Sequence, residues 1–398
     1  KVIADFVESV ADDKWAGIPG TALIRLEAVE KVLEEYPSIV AGQPDDAAMQ
    51  LQAAVLYRRC ANLYRTLGRE KEAEPLYALS KASMQSLLAA HADVVDYQVQ
   101  WGHLLLDEAE ASNRTAGPER ALATNQEALE HAVGLAARLP GHPAARLLLA
   151  RAQIDTADAL RETGSPQEAR KLARPGVESL AELATDGEYQ TQLMAALARV
   201  VAARVAREAG LGAESRREAE AALDAVDRIE VSHDVDPDIA WVRTCALAEK
   251  ARTGAGTADN LTVERETCEL ALKAARDLVA GSSNVAVHRQ TLAEILLDRA
   301  AVFVADGRPA EASKAADEAI VLLGGDEPAA DSAMNPDITT RRVLARAYAA
   351  KGTALRAAGD ELGAREAFAS AGPHFDAALK AAPHNRRLRA EADAASRQ

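Results

Sequence analysis

Residues 57–77 read YRRCANLYRTLGREKEAEPLY. Before Gly68, Tyr57, Ala61 and Tyr64 recur at the three- and four-residue spacing that places side chains on one helix face. After it, Ala73 and Tyr77 repeat the pattern. Glycine supplies the left-handed backbone that ends a helix without a Cβ clash. The short polar run Arg69 to Glu72 then opens the next helix. The stretch therefore predicts two antiparallel helices joined by a tight turn.

The same signal recurs along the chain. GSPQEA begins at Gly164, GRPAEA at Gly307 and GDELGA at Gly359, with weaker copies at Gly117 (GPERAL) and Gly210 (GLGAES); Gly254 lies in TGAGTADN. The period is roughly 48 residues, which predicts a stack of about seven helix pairs. In GSPQEA, Ser165 suits an N-cap, Pro166 the first helical position and Glu168 the closing residue of a capping box. First helices are expected near 45–67, 93–114, 143–163, 187–209, 236–253, 284–306 and 335–358. Their partners are expected near 70–90, 118–139, 166–184, 213–229, 260–281, 309–323 and 361–381. A leading helix is expected over about 21–40.

Composition agrees with packed helices. Aromatic residues make up 4% of the chain while the apolar set reaches 48%, so the core must be built mainly from alanine and leucine, which favour helix. No stretch alternates with the period of two that a half-buried strand requires. A formal charge of −15 argues against a partner held by nucleic-acid phosphates, which need a basic surface. Cys60, Cys245 and Cys268 are odd in number and lie far apart within apolar helical pattern, as buried small hydrophobes would. No apolar run approaches the roughly 20 residues of a membrane span. The sequence opens on Lys1 in mid-pattern, which suggests a fragment of a longer protein.

The spacing of large and small residues around Gly68 resembles the tetratricopeptide repeat family. So does the last repeat, with Tyr348, Gly352, Leu355, Ala364, Phe368 and Ala371 around Gly359, then Ala382, Pro383, His384 and Asn385. That family's unit is about 34 residues, so each helix here must be one or two turns longer. The resemblance implies an all-α, right-handed α-α superhelix forming an elongated stack. The expected layout is a linker over 1–20, the solenoid over 21–381 and a capping helix or tail over 382–398.

A narrower resemblance lies in the first hundred residues. FVESVADD, then Ile18 to Gly20 (IPG), then VLEEYPSIVAGQPDD looks like the region after the kinase domain in planctomycete-type serine/threonine protein kinases. Their repeats join by a His-Pro-Asp-Val linker, and this chain has HADVVDY at His91 to Tyr97, with Ala92 in place of the proline. The resemblance implies a sensor or scaffold region of a membrane kinase, lying outside the cytoplasm, with a cytoplasmic location as the alternative. No glycine-rich phosphate loop, His-Arg-Asp or Asp-Phe-Gly motif is present, so this chain itself carries no kinase chemistry.

No catalytic, cofactor-binding or metal-binding set emerges. Asp234, Asp236 and Asp238 imitate the start of a calcium loop, but Ile239 and Cys245 stand where glycine and glutamate are needed, so a turn or helix-cap role is expected. In tetratricopeptide-like stacks the first helix of each pair lines the concave groove. Registering each repeat on its glycine places Arg58, Asn62 and Arg65 there, then Arg151, Asp158 and Arg161, then Arg204 and Arg207, and finally Arg346, Thr353 and Arg356. A groove leaning basic would favour an acidic peptide or protein ligand. Three further readings stand beside it: these arginines pair with glutamates on helix faces, the solenoid is a scaffold that associates with its own copies, or it is a regulatory domain of another enzyme.

Overall fold

In a computed structural model of the chain, residues 26–28, 30–31, 33–34, 46–185, 187–230, 236–253, 258–283, 285–325 and 337–398 are described. The linker 1–20, Gly254 and Asp234 lie outside them. Every regular element among the described residues is a helix.

Fourteen helices form seven antiparallel pairs: α1 Ala47–Thr66 with α2 Glu70–Ala90, α3 Val95–Thr115 with α4 Pro118–Arg138, α5 Pro143–Glu162 with α6 Pro166–Ala184, α7 Tyr189–Glu208 with α8 Gly212–Glu230, α9 Pro237–Arg252 with α10 Ala258–Gly281, α11 Ala286–Ala305 with α12 Pro309–Leu322, and α13 Ile338–Ala357 with α14 Glu361–Ala381. A shorter helix, α15 (Arg386–Ser396), follows. Ahead of α1, Leu26 lies in a helical segment and is buried against the first pair.

The turns of the six pairs in which they are described share one design. Gly68, Gly117, Gly164, Gly210, Gly307 and Gly359 all have positive φ, between 69° and 93°. In the third pair the Gly164 amide donates to the Arg161 carbonyl at 3.0 Å, and the Ser165 amide reaches back to Leu160 at 2.8 Å. This double reach satisfies carbonyls that the helix end leaves open. Ser165 departs from expectation. Its backbone, with ψ 58°, is drawn into that closure, and its hydroxyl makes no capping bond to α6. Side-chain caps are found at Asp46, Asp236, Asp337 and Asn385, where helices start after other joints, and at Asp360 in the turn of the last pair.

Small residues let the helices approach. Ala53, Ala61 and Ala73 in the first pair, and Ala152, Ala157 and Ala169 in the third, are fully buried. A Cβ placed on Gly102 would lie 2.5 Å from Leu148 in the next pair, and one on Gly352 would lie 2.8 Å from the Phe368 ring. The three cysteines are free and buried.

The stack is not elongated, contrary to the expectation from sequence. It coils back on itself, so that the turn of the first pair meets the sixth pair: the Cβ position of Gly68 is 3.5 Å from Ala286. Likewise Gly117 of the second pair faces Ala382 after the seventh, at 3.0 Å, and Gly164 of the third faces Arg386 of α15, at 3.3 Å. One superhelical turn is thus completed over five pairs. Longer helices than the usual repeat provide the axial height that brings successive turns into contact.

Candidate functional site

The inner helices α1, α3, α5, α7, α9, α11 and α13 carry a ladder of charges rather than a row of free arginines. In the first rung, Arg58 Nη1 donates to Asp107 Oδ2 at 2.8 Å, Asn62 Nδ2 to the same oxygen at 2.9 Å, and Arg151 Nη2 to Oδ1 at 2.5 Å. Burial alone would raise the Asp107 carboxyl, but Arg151 and Arg58 outweigh it and hold it far below the usual carboxylate range. Burial, with Arg151 and Arg58 beside it, pushes His103 down to about 3, so it is neutral and can accept from Arg151 at 3.2 Å. Arg65 pairs with Glu110.

The next rungs run around the inside of the ring. Arg161 Nε donates to Asp158 at 2.7 Å and Nη1 to Glu208 at 3.0 Å. Arg207 Nε donates to Glu249 at 2.8 Å, and Arg252 holds both Glu249 and, at 2.8 Å, Asp298. Glu249 is fully buried. Burial would raise its carboxyl, yet Arg252, Arg207 and Arg204 hold it at about 2. The last rung crosses the seam: Arg342 donates to Glu162 at 2.6 Å and to Glu391 at 2.6 Å. Nearby, Asn385 Nδ2 donates to the Glu162 carbonyl at 3.2 Å and Arg114 to Asp337 at 2.5 Å.

Closure of the ring frames a half-open cavity of about 570 Å³. Eight arginines and six carboxylates line it, a positive excess inside a chain of net charge −15. Trp241 adds an apolar wall, its Nε1 donating to Thr291 at 3.2 Å.

Of the residues singled out in sequence, Asp158, Arg161, Arg204, Arg207 and Arg346 are brought together on this cavity. Arg58, Asn62, Arg65 and Arg151 do not line it; they gather around Asp107 and around Glu110, which itself borders the cavity. Thr353 borders a separate hollow of about 350 Å³ with Phe368 and Gln398, and Arg356 lies over the Phe368 ring at 4.8 Å. Asp236 is a helix cap, accepting from the Asp238 amide at 2.8 Å.

Sequence reasoning missed Arg114, Arg252, Arg342 and Arg387, which also line the cavity. For Arg114 a signal existed: arginine stands three residues before the turn glycine at positions 65, 114, 161, 207 and 356. Arg342 and Arg387 have no such signature, because they reach the cavity only through closure of the ring.

No family model matches the chain, and no curated protein matches it in sequence. Solved structures match in fold. The apo form of RapI is 10% identical, with 82% of this chain and 98% of that one covered at a TM-score of 0.51. A Rap protein complexed with Competence and Sporulation Factor is also 10% identical, with 99% of each chain covered at a TM-score of 0.50. A signal-transduction ATPase with a tetratricopeptide repeat sensor, from Pyrococcus horikoshii, is 12% identical over 93% of this chain at a TM-score of 0.48, and this chain covers half of its length. The likeness is one of fold: the chain is an all-α superhelix of the tetratricopeptide type.

Proposed function

We propose that this superhelix is a non-catalytic binding module whose inner face takes an acidic peptide or protein segment. The observation that carries the reading is the half-open cavity lined by more arginines than carboxylates on a chain that is acidic overall. A fold neighbour, the Rap protein, was solved in complex with Competence and Sporulation Factor. Among the described residues no helix is long and apolar enough to cross a membrane. The wider role is that of the sensor or scaffold region of a membrane serine/threonine protein kinase, supported by the stretch up to HADVVDY.

Two measurements test this. A fluorescein-labelled glutamate-rich peptide should bind the fragment, more weakly as salt is raised, while a lysine-rich peptide of equal length should not. Equal binding of both peptides would sink the acidic-ligand reading. The parent reading frame should hold an apolar run of about 20 residues preceded by His-Arg-Asp and Asp-Phe-Gly motifs; without them the kinase reading fails and the binding module stands. A self-assembly scaffold is the competing role, and light scattering that shows concentration-independent oligomers would favour it.

A further inference from the structure

The arginines on the cavity are not equally occupied. Arg161, Arg207, Arg252 and Arg342 each donate hydrogen bonds to protein carboxylates. Arg204 and Arg346 do not. Among the described residues each has only an ion contact at 3.6 Å, Arg204 with Glu249 and Arg346 with Glu294, too long for a hydrogen bond. Arg387 lies 3.1 Å from Glu208 and 3.4 Å from Glu162, and its Nη1 is buried with no hydrogen-bond partner. A guanidinium carries five donors in a rigid fork. Arg204 and Arg346 therefore face one cavity with most of that capacity unspent, while Arg387, with a carboxylate 3.1 to 3.6 Å from each of its nitrogens, adds one buried N–H group without a hydrogen bond.

The carboxylate opposite them is loosely held as well. Glu294 stands 3.6 Å from Arg346 and 3.7 Å from Arg252, without a hydrogen bond to either. The hydrogen-bonded pairs Arg342–Glu162 and Arg161–Glu208, by contrast, meet at 2.6 and 3.0 Å. Glu294 thus sits among cations that it does not satisfy.

We infer that the cavity holds a compact dianion, of the phosphate or dicarboxylate class, gripped by Arg204, Arg346 and Arg387. The site uses residues from distant parts of the chain: Arg204 from α7 in the fourth pair, Arg346 from α13 in the seventh and Arg387 from α15. A dianion there bridges the two sides of the seam and adds a tie to the Arg342–Glu162 contact. The ligand is therefore a stabiliser of the closed ring as well as an occupant. Forked donors against paired oxygens give such a contact both strength and direction. The inference rests on the binding reading above for its location and goes beyond it in the chemistry and in the coupling to closure.

The test uses the fragment with inorganic phosphate, with succinate, and with chloride at matched ionic strength, read by calorimetry and by melting temperature. Phosphate or succinate should bind and raise the melting temperature, and chloride should not; whichever of the first two binds more tightly identifies the source. Arg204→Gln and Arg346→Gln should each weaken binding about tenfold, the equivalent of one charge-assisted hydrogen bond. Arg276→Gln, which breaks an exposed pair with Glu318 outside the cavity, should leave binding unchanged. Arg204→Lys and Arg346→Lys keep the charge and serve where a glutamine variant fails to fold; they should retain only part of the affinity. No binding of either dianion, or binding indifferent to both arginines, overturns the inference. If the glutamate-rich peptide binds while the dianions do not, the binding module survives and this site does not.

Discussion

Arg342 and Glu162 are 180 positions apart in the chain and 2.6 Å apart in space. Around them Arg161, Arg387 and Asn385 converge on the same residue, the last through its backbone carbonyl. The end of α5 is thereby fastened to the start of α13 and to α15. Glu162 is thus a meeting point of the seam, beside the Arg114–Asp337 pair.

Glu162→Gln should open that seam. It leaves Arg161, Arg342 and Arg387 short of a carboxylate in a mostly buried place, a loss of about 3 kcal/mol on the scale of broken buried pairs. Denaturant unfolding should show the loss, and small-angle X-ray scattering should show a larger radius of gyration. The Glu162→Gln, Arg342→Gln double variant should lose less than the sum of the single losses. Strict additivity would mean that the pair does not act as a unit.

Gly352→Leu should destabilise far more than Arg356→Leu. A side chain at Gly352 runs into the Phe368 ring, 2.8 Å from the first added carbon. Overpacking of this kind costs about 1 to 3 kcal/mol. Arg356 covers the outer side of the same ring, and leucine replaces its apolar contact while losing a cation–π interaction of about 0.5 to 1 kcal/mol. Melting temperatures of the two variants decide the matter, and equal values would contradict the packing described.

Stability should fall steeply in acid, and Glu249 should carry part of the loss. Its carboxyl is held at about 2 in the folded state, below the ordinary value, so the unfolded chain binds its proton first. The contribution is complete at neutral pH and disappears as pH falls from about 5 toward 2. Glu249→Gln should therefore lower the melting temperature at pH 7 and flatten its dependence on pH across that window. An unchanged slope would show that Glu249 is not held down by its arginines.

Ending the chain after Gly325 removes α13, α14 and α15. Solenoid pairs contact mainly their neighbours, so α1 to α12 should remain helical by circular dichroism. Two costs go beyond the lost neighbour: Arg114 loses Asp337, and Glu162 loses Arg342 and Arg387. The melting temperature should therefore drop, and complete loss of helicity would argue against separable pairs.

The helices were largely legible because their signals are local. The third pair was expected at 143–163 and 166–184 and is found at Pro143–Glu162 and Pro166–Ala184. Turn glycines, prolines at helix starts and alanine spacing all act within a few residues. Arg161, Arg204 and Arg207, singled out by the repeat register, line the cavity, while Arg58 and Arg151, singled out the same way, do not. The closure was not legible. It accumulates from a small rotation at every pair, and no single residue encodes a sum. Arg387, whose place depends on that sum, sat unnoticed in the last few turns of the sequence. Pairing of these arginines with carboxylates is expected within one helix face, but Arg58 and Asp107 are 49 positions apart and meet across successive pairs, a partner that no local signal names.

The return of the sixth and seventh pairs onto the first and second alters how the molecule comes apart. In an open array the terminal units have one neighbour and fray independently, so unfolding spreads inward in small steps. Here Gly68 rests on Ala286 and Gly117 on Ala382, and neither edge can loosen without disturbing a unit five places away. The chain gains contacts of high sequence separation, which slow folding and make the transition more concerted. Hydrogen exchange in α1 and α14 should accordingly approach the slowness of the middle helices while the ring is shut.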